Sequence, residues 1–127
     1  MSESSEGLVA RPVNALLPGR IGMLVRIPAK PGARTAVLDV LNRYVDAIAI
    51  SEPGTEMFLV CLDPDDEDLV WLHEWFRDSD AQDAHQQSSA FHRMMQEMPP
   101  LLAGPPGIVR IDPLRLHLAG NIVDESM

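Results

Sequence analysis

Two apolar runs, Thr55–Leu62 and Leu69–Phe76, flank the polar stretch Asp63-Pro64-Asp65-Asp66-Glu67-Asp68. Apolar, β-branched and aromatic residues on both sides of a turn-forming segment predict a β-hairpin. Alternate residues of a strand point to opposite faces. The second run puts Val70, Leu72 and Phe76 on one face and Trp71 and Trp75 on the other. The first run divides into Phe58, Val60 and Leu62 against Met57, Leu59 and Cys61. Both faces are apolar, so both must be covered. Any fold for this chain has to satisfy that demand.

The remaining elements narrow the choice. Ile21–Ile27 reads as a first strand, followed by the breaking run Pro28-Ala29-Lys30-Pro31-Gly32. Ala33, Ala36, Val37, Val40, Leu41, Tyr44 and Ile48 recur at helical spacing, which predicts an amphipathic helix over about 33–49 ended by Glu52-Pro53-Gly54. Ser79 with Gln82 fits a capping box for a short helix over 80–87. Ser88 or Ser89 can open another, with Phe91, Met94, Met95 and Met98 on one face and Pro99-Pro100 stopping it. Strand character resumes over Ile108–Leu118, broken by Asp112-Pro113. The order β-α-β-β-α-β predicts an α+β, ferredoxin-like fold with an antiparallel sheet and its helices on one face. Residues 1–20 read as a flexible N-terminal tail, 21–118 as one domain and 119–127 as a C-terminal tail. Two helices cover only one sheet face, so the other is expected to meet a second copy in a homodimer. Leu114, Leu116 and Leu118 alternate with Arg115 and His117, and 113–120 is expected to leave its own sheet and pack on the partner protomer.

Composition removes several function classes. The 127 residues suit one domain. Ten Lys and Arg against 19 Asp and Glu give a net charge of −9, which disfavours nucleic acid and anionic membranes as partners. No apolar run approaches the roughly 20 residues of a membrane span, and the first residues do not read as a secretory signal. A single cysteine, Cys61, sits in an apolar strand and reads as a core thiol. Together these place the protein in the cytosol.

Pro31-Gly32, Glu52-Pro53-Gly54 and Asp63-Pro64-Asp65-Asp66 are followed by Glu74, Ala81, His85 and Phe91. On these residues the chain from Ile21 to Leu118 resembles the antibiotic biosynthesis monooxygenase family. In that family a glutamate, any residue and a tryptophan precede an alanine and a histidine. Here the run reads Glu74-Trp75-Phe76, so Phe76 takes the tryptophan position. The resemblance implies a dimeric α+β barrel built from two ferredoxin-like protomers. It also implies oxidation of a planar aromatic (a quinol, anthrone or polyketide) by O₂ without metal or flavin. Haem-degrading relatives rely on an asparagine in the first strand, and Ile21–Ile27 has none.

Oxygenation without a cofactor requires a base to make a phenolate or enolate, a dry cavity, and donors that hold the anion. His85 is the candidate base, since histidine as a residue type titrates near neutrality. Glu74 can orient it or bind a hydroxyl. Tyr44, Trp71, Trp75, Phe76 and Phe91 are candidates to stack on a ring, with Met94 in the pocket wall. A structural hydrogen bond between Glu74 and His85 is the competing reading. So is a non-catalytic small-molecule-binding or dimerisation module on the same fold. A metal site is disfavoured: His85 and His92 are seven residues apart, roughly 10 Å along a helix, and His73 and Glu74 point to opposite strand faces. A calcium loop at Asp63 lacks the turn-making glycine, having Asp68 in its place.

Overall fold

Asp63 makes the hairpin turn. Its Oδ1 accepts the backbone N–H groups of Asp65 and Asp66, each at 2.9 Å, and its Oδ2 accepts Trp71 Nε1–H at 2.9 Å. Such Asx geometry replaces backbone turn bonds with a side chain. In the computed structural model, which describes residues 11–120 and Ile122, the flanking strands run over the expected residues. In chain order the elements are β1 (Val13–Leu16), β2 (Ile21–Pro28), α1 (Arg34–Ser51), β3 (Thr55–Leu62) and β4 (Leu69–Phe76). Then come α2 (Ser79–Gln87), α3 (Ser89–Glu97), a 3₁₀ turn (Pro99–Leu101), β5 (Gly107–Arg110) and β6 (Arg115–Leu118).

The chain divides into two units. Gly19–Asp112 forms the larger, an antiparallel sheet of order β3-β4-β2-β5. With α1 between β2 and β3, and α2–α3 between β4 and β5, this is the ferredoxin-like α+β arrangement. Register places Met23 and Phe58 opposite Glu74, and Val25 and Val60 opposite Leu72, so these residues share one sheet face. On that face α1 contributes Val37, Val40, Leu41 and Tyr44, and α3 contributes Met94, to a core with Ile27, Val70 and Leu72. The helices thus bury the apolar stripes that their periodicity announced. Trp71, His73 and Trp75 project from the other face, beside Leu24, Leu59 and half-buried Cys61.

Local chemistry sets the helix ends. Gly32, at φ +77°, supplies the left-handed turn before α1, and its N–H donates to Asp68 Oδ1 at 3.0 Å. α2 is capped by Asp78, whose Oδ1 accepts Ala81 N–H at 2.8 Å, and not by Ser79. Asp78 and Ser79 are both good caps, and the choice between them lies in backbone conformation: Asp78 is extended at φ −163° while Ser79 is already helical. Ser88 is at once the C-cap of α2 and the N-cap of α3, accepting Phe91 N–H at 3.0 Å.

The second unit comprises the two ends, up to Pro18 and from Pro113 on. Its β1 and β6 pair antiparallel, Val13 opposite Leu118 and Leu16 opposite Arg115. Residues 13–16, expected within a flexible tail, therefore form a strand. Four residues are too few to carry a period of their own, and the partner lies a hundred positions away. Asp112-Pro113 divides the expected run Ile108–Leu118: Asp112 Oδ1 takes the N–H of Gly22 at 3.0 Å, ending β5, and β6 joins a different sheet. Residues 1–10, 121 and 123–127 of the expected tails lie outside the described residues.

Candidate active site

Continuing the buried stripe of α1 by one turn (Leu41, Tyr44, Ile48) leads to Glu52, just past the helix end and 2% exposed. A buried carboxylate needs partners for its lone pairs. Glu52 has four. Its Oε1 accepts Tyr44 O–H at 2.6 Å and Thr55 O–H at 2.8 Å, and lies 2.7 Å from His85 Nδ1. Its Oε2 accepts Ser88 O–H at 2.7 Å. Burial alone would push its pKa up, but the bonds from His85, Ser88, Tyr44 and Thr55 outweigh that and lower it to about 2. Burial and the adjoining Glu52 charge push the Tyr44 hydroxyl up, so it stays a donor.

The ionised Glu52 settles the tautomer of His85. A carboxylate only accepts, so Nδ1 carries the proton and donates it toward Oε1, with the Tyr44 oxygen also within 2.7 Å. In the neutral ring Nε2 then carries the lone pair. It lies 4.0 Å from Glu74 Oε1, too far for a direct hydrogen bond. His85 and Glu74 are thus neighbours without a bond, and the expected strand-to-helix hydrogen bond is absent. Glu74 is buried on the apolar face of β4 and its pKa is raised: burial is the main cause, the Glu52 charge adds to it, and His85 opposes it.

Both groups line a cavity of about 180 Å³ between sheet and helices. Its walls are otherwise apolar, with Met23, Val25, Leu72, Phe91, Met94 and Met98 among them, and the one further polar side chain among the described residues is that of Gln86. An oxygen placed off the line between Nε2 and Oε1 would reach both. The arrangement can take a proton from a hydroxyl at Nε2, with the buried carboxyl of Glu74 beside it.

The expected ring-stacking residues divide sharply. Phe91 and Met94 line the cavity. Phe76 is fully buried and packs on His85, ring centroids 4.8 Å apart, while Phe91 lies 4.5 Å from it. Tyr44 sits behind the imidazole and holds Glu52. Trp71 and Trp75 are on the opposite sheet face, their indole N–H groups donating to Asp63 and Glu56. Glu52, Thr55 and Ser88 were read only as a helix terminator, a strand start and a cap. The helical spacing from Tyr44 through Ile48 to Glu52 was the available signal.

Gly54 explains how α2 comes close enough to seat His85. A Cβ there would lie 2.5 Å from Ala81 Cβ and 3.3 Å from its Cα. The space left by the small Ala81 side chain is therefore filled by the Gly54 backbone. Gly54→Ala is expected to destabilise the fold by about 1–3 kcal/mol, the usual range for overpacking. It should also weaken the Glu52–His85 contact. Urea unfolding measures the first effect, and unchanged stability would contradict the contact.

Comparison with known proteins agrees with this architecture. Residues 20–97, more than half of the chain, match the profile of the family described as antibiotic biosynthesis monooxygenase. No curated protein matches. Among solved structures, a Caulobacter crescentus protein provisionally assigned as an antibiotic biosynthesis monooxygenase superposes with a TM-score of 0.71 at 20% identity, covering 88% of this chain and 99% of the other. Protein PA3566 of Pseudomonas aeruginosa gives 0.69 at 24% identity, covering 79% and 99%. Rv0793 of Mycobacterium tuberculosis gives 0.68 at 22% identity, covering 75% and 95%. At these identities the structures speak for the fold, and the profile match for the lineage: the chain belongs to the antibiotic biosynthesis monooxygenase family.

Proposed function

We propose that the protein is a cofactor-independent monooxygenase of a planar phenolic substrate, with His85 Nε2 as general base. The observation that carries this is the imidazole whose Nδ1–H is held by an ionised, buried Glu52 while Nε2 meets an apolar cavity beside Glu74. A carboxylate that fixes one ring nitrogen leaves the other basic and oriented. Nε2 removes the phenol or enol proton. The resulting anion gives an electron to O₂, and the radical pair joins as a carbon-bound peroxide. Glu74, held toward its neutral form, protonates the peroxide. The hydrogen on the same carbon then leaves as a proton to Glu74 while the O–O bond breaks, and the departing hydroxide takes the proton held by His85, so that a new carbonyl keeps one oxygen atom of O₂ and the other leaves as water. The test is oxygen uptake by metal-stripped protein with quinols, anthrones and dihydroxynaphthalenes. Uptake with a 1:1 ratio of O₂ to product supports the reading. Tight binding of these compounds with no uptake would favour a binding module.

The working form in this proposal is a homodimer joined through the sheet face opposite α1–α3. Leu59 and Val109, 50% and 57% exposed, share that face with Leu24. Leu59→Asp and Val109→Asp are each expected to shift the protein toward monomer by burying a charge in the interface. Light scattering at micromolar concentration reads this directly, and a wild-type monomer there would end the idea.

A further inference from the structure

We propose that the substrate is a neutral, single-ring phenol or quinol bearing an unbranched apolar tail, whose ring fills the cavity and whose tail lies in an adjoining groove. This rests on the site reading above for the position of the hydroxyl. Size gives the first argument. An apolar cavity of about 150 Å³ accepts one benzene, so the 180 Å³ here accommodates one substituted ring. Any further bulk must leave the cavity.

The second argument is where it can go. A groove of about 410 Å³ adjoins the cavity and shares Met95, Met98 and Pro106 with it. Beyond these it is lined by Pro99, Leu102, Ala103, Gly104 and Pro105, with no ionisable side chain. Its backbone is anchored: Lys30 N–H donates to Leu101 O at 2.8 Å and Ala103 N–H to Pro28 O at 2.9 Å. The third argument is charge. Neither the cavity nor the groove is lined by a lysine or arginine, Glu74 faces the cavity, and the chain carries −9 overall. A carboxylate, phosphate or sulfate on the substrate would find no partner, whereas flexible methionines suit an alkyl chain. Polarity is thus confined to one end of the site, as in a ligand with a single polar head.

The experiment is a binding titration of the full chain with phenol and its 4-ethyl, 4-butyl, 4-hexyl and 4-octyl derivatives below their aggregation limits. Affinity should rise roughly fourfold per methylene that enters the groove, then level off. Gly104→Trp should remove the gain from longer tails. A Cβ at Gly104 meets nothing within 4 Å, so the backbone tolerates the change. Ala103→Trp serves as a second plug. A tail ending in a carboxylate should bind at least tenfold more weakly than the alkyl tail of equal length. Affinity independent of tail length would overturn the proposal, as would identical gains in both tryptophan variants. Equal binding of the carboxylate-ended compound would do the same. If the methyl ethers bind as tightly as the phenols at every tail length, the groove stands and the placement of the hydroxyl at His85 fails.

Discussion

His85→Ala is expected to lower turnover of a phenolic substrate by about 10²–10⁴-fold, the usual worth of a general base. Binding of the same substrate should change far less, because thirteen other residues line the cavity and its walls are mostly apolar. The drop should therefore fall on kcat more than on KM. A purely structural histidine would give a different pattern: losing one of four donors to Glu52 would lower stability, and activity would follow the folded fraction. Added imidazole separates the two. The truncated side chain leaves a space flanked by Phe76 and Phe91 and facing Glu52, so imidazole should restore part of the rate under conditions where the variant is already fully folded. Full activity in folded His85→Ala, or no rescue at any imidazole concentration, would remove His85 from the mechanism.

Glu52→Ala should be the most destabilising single change at the site. It strands the hydroxyls of Tyr44, Thr55 and Ser88 and the Nδ1–H of His85 among buried groups. Removing one partner of such a buried charged network costs on the order of 3–5 kcal/mol. Against a typical total of about 5–15 kcal/mol, that is a large fraction. The same bonds make stability depend on pH. Glu52 falls from the ordinary glutamate value of 4.5 to about 2 on folding, so its contribution is fully present above pH 4.5 and is lost as pH falls toward 2. Integrated over that shift, the loss is about 3 kcal/mol. Glu74 acts with the opposite sign. Its folded pKa is raised, so its burial costs stability at neutral and alkaline pH, and the cost is relieved as pH falls through its folded value to 4.5. Stability should rise on mild acidification and then drop steeply. Urea unfolding from pH 8 to 2.5 reads the curve. Glu52→Gln should flatten the acid limb and Glu74→Gln the rise above it. An unchanged acid slope in Glu52→Gln would show that this network does not carry the dependence.

Sequence periodicity alone determined the architecture of the larger unit. The alternation in Leu69–Phe76 assigned Val70, Leu72 and Phe76 to one face and Trp71 and Trp75 to the other, and the register confirms it. The stripe from Val37 to Ile48 located α1, and the paired serines located the start of α3. These are local signals, readable because burial repeats every two or 3.6 residues. His85 and Glu74 were paired through the family resemblance and the chemistry of their side chains, without any means of telling how far apart they stand. Only the tertiary structure decided which partner holds His85. Glu52 lies 33 positions earlier and resembled an ordinary helix stop, and its role exists because α1, β3 and the α2–α3 junction each bring one or two donors to the same buried point. It also decided which aromatics meet the cavity, since Tyr44 and Phe91 sit on similar helical faces but at different depths. The pairing of β1 with β6 joins segments a hundred residues apart through backbone hydrogen bonds, which leave no mark on side-chain pattern. Side-chain periodicity records which way a residue faces. Which distant residue it meets depends on the packing of whole elements, and that is why the fold was legible in this chain and the buried carboxylate behind its histidine was not.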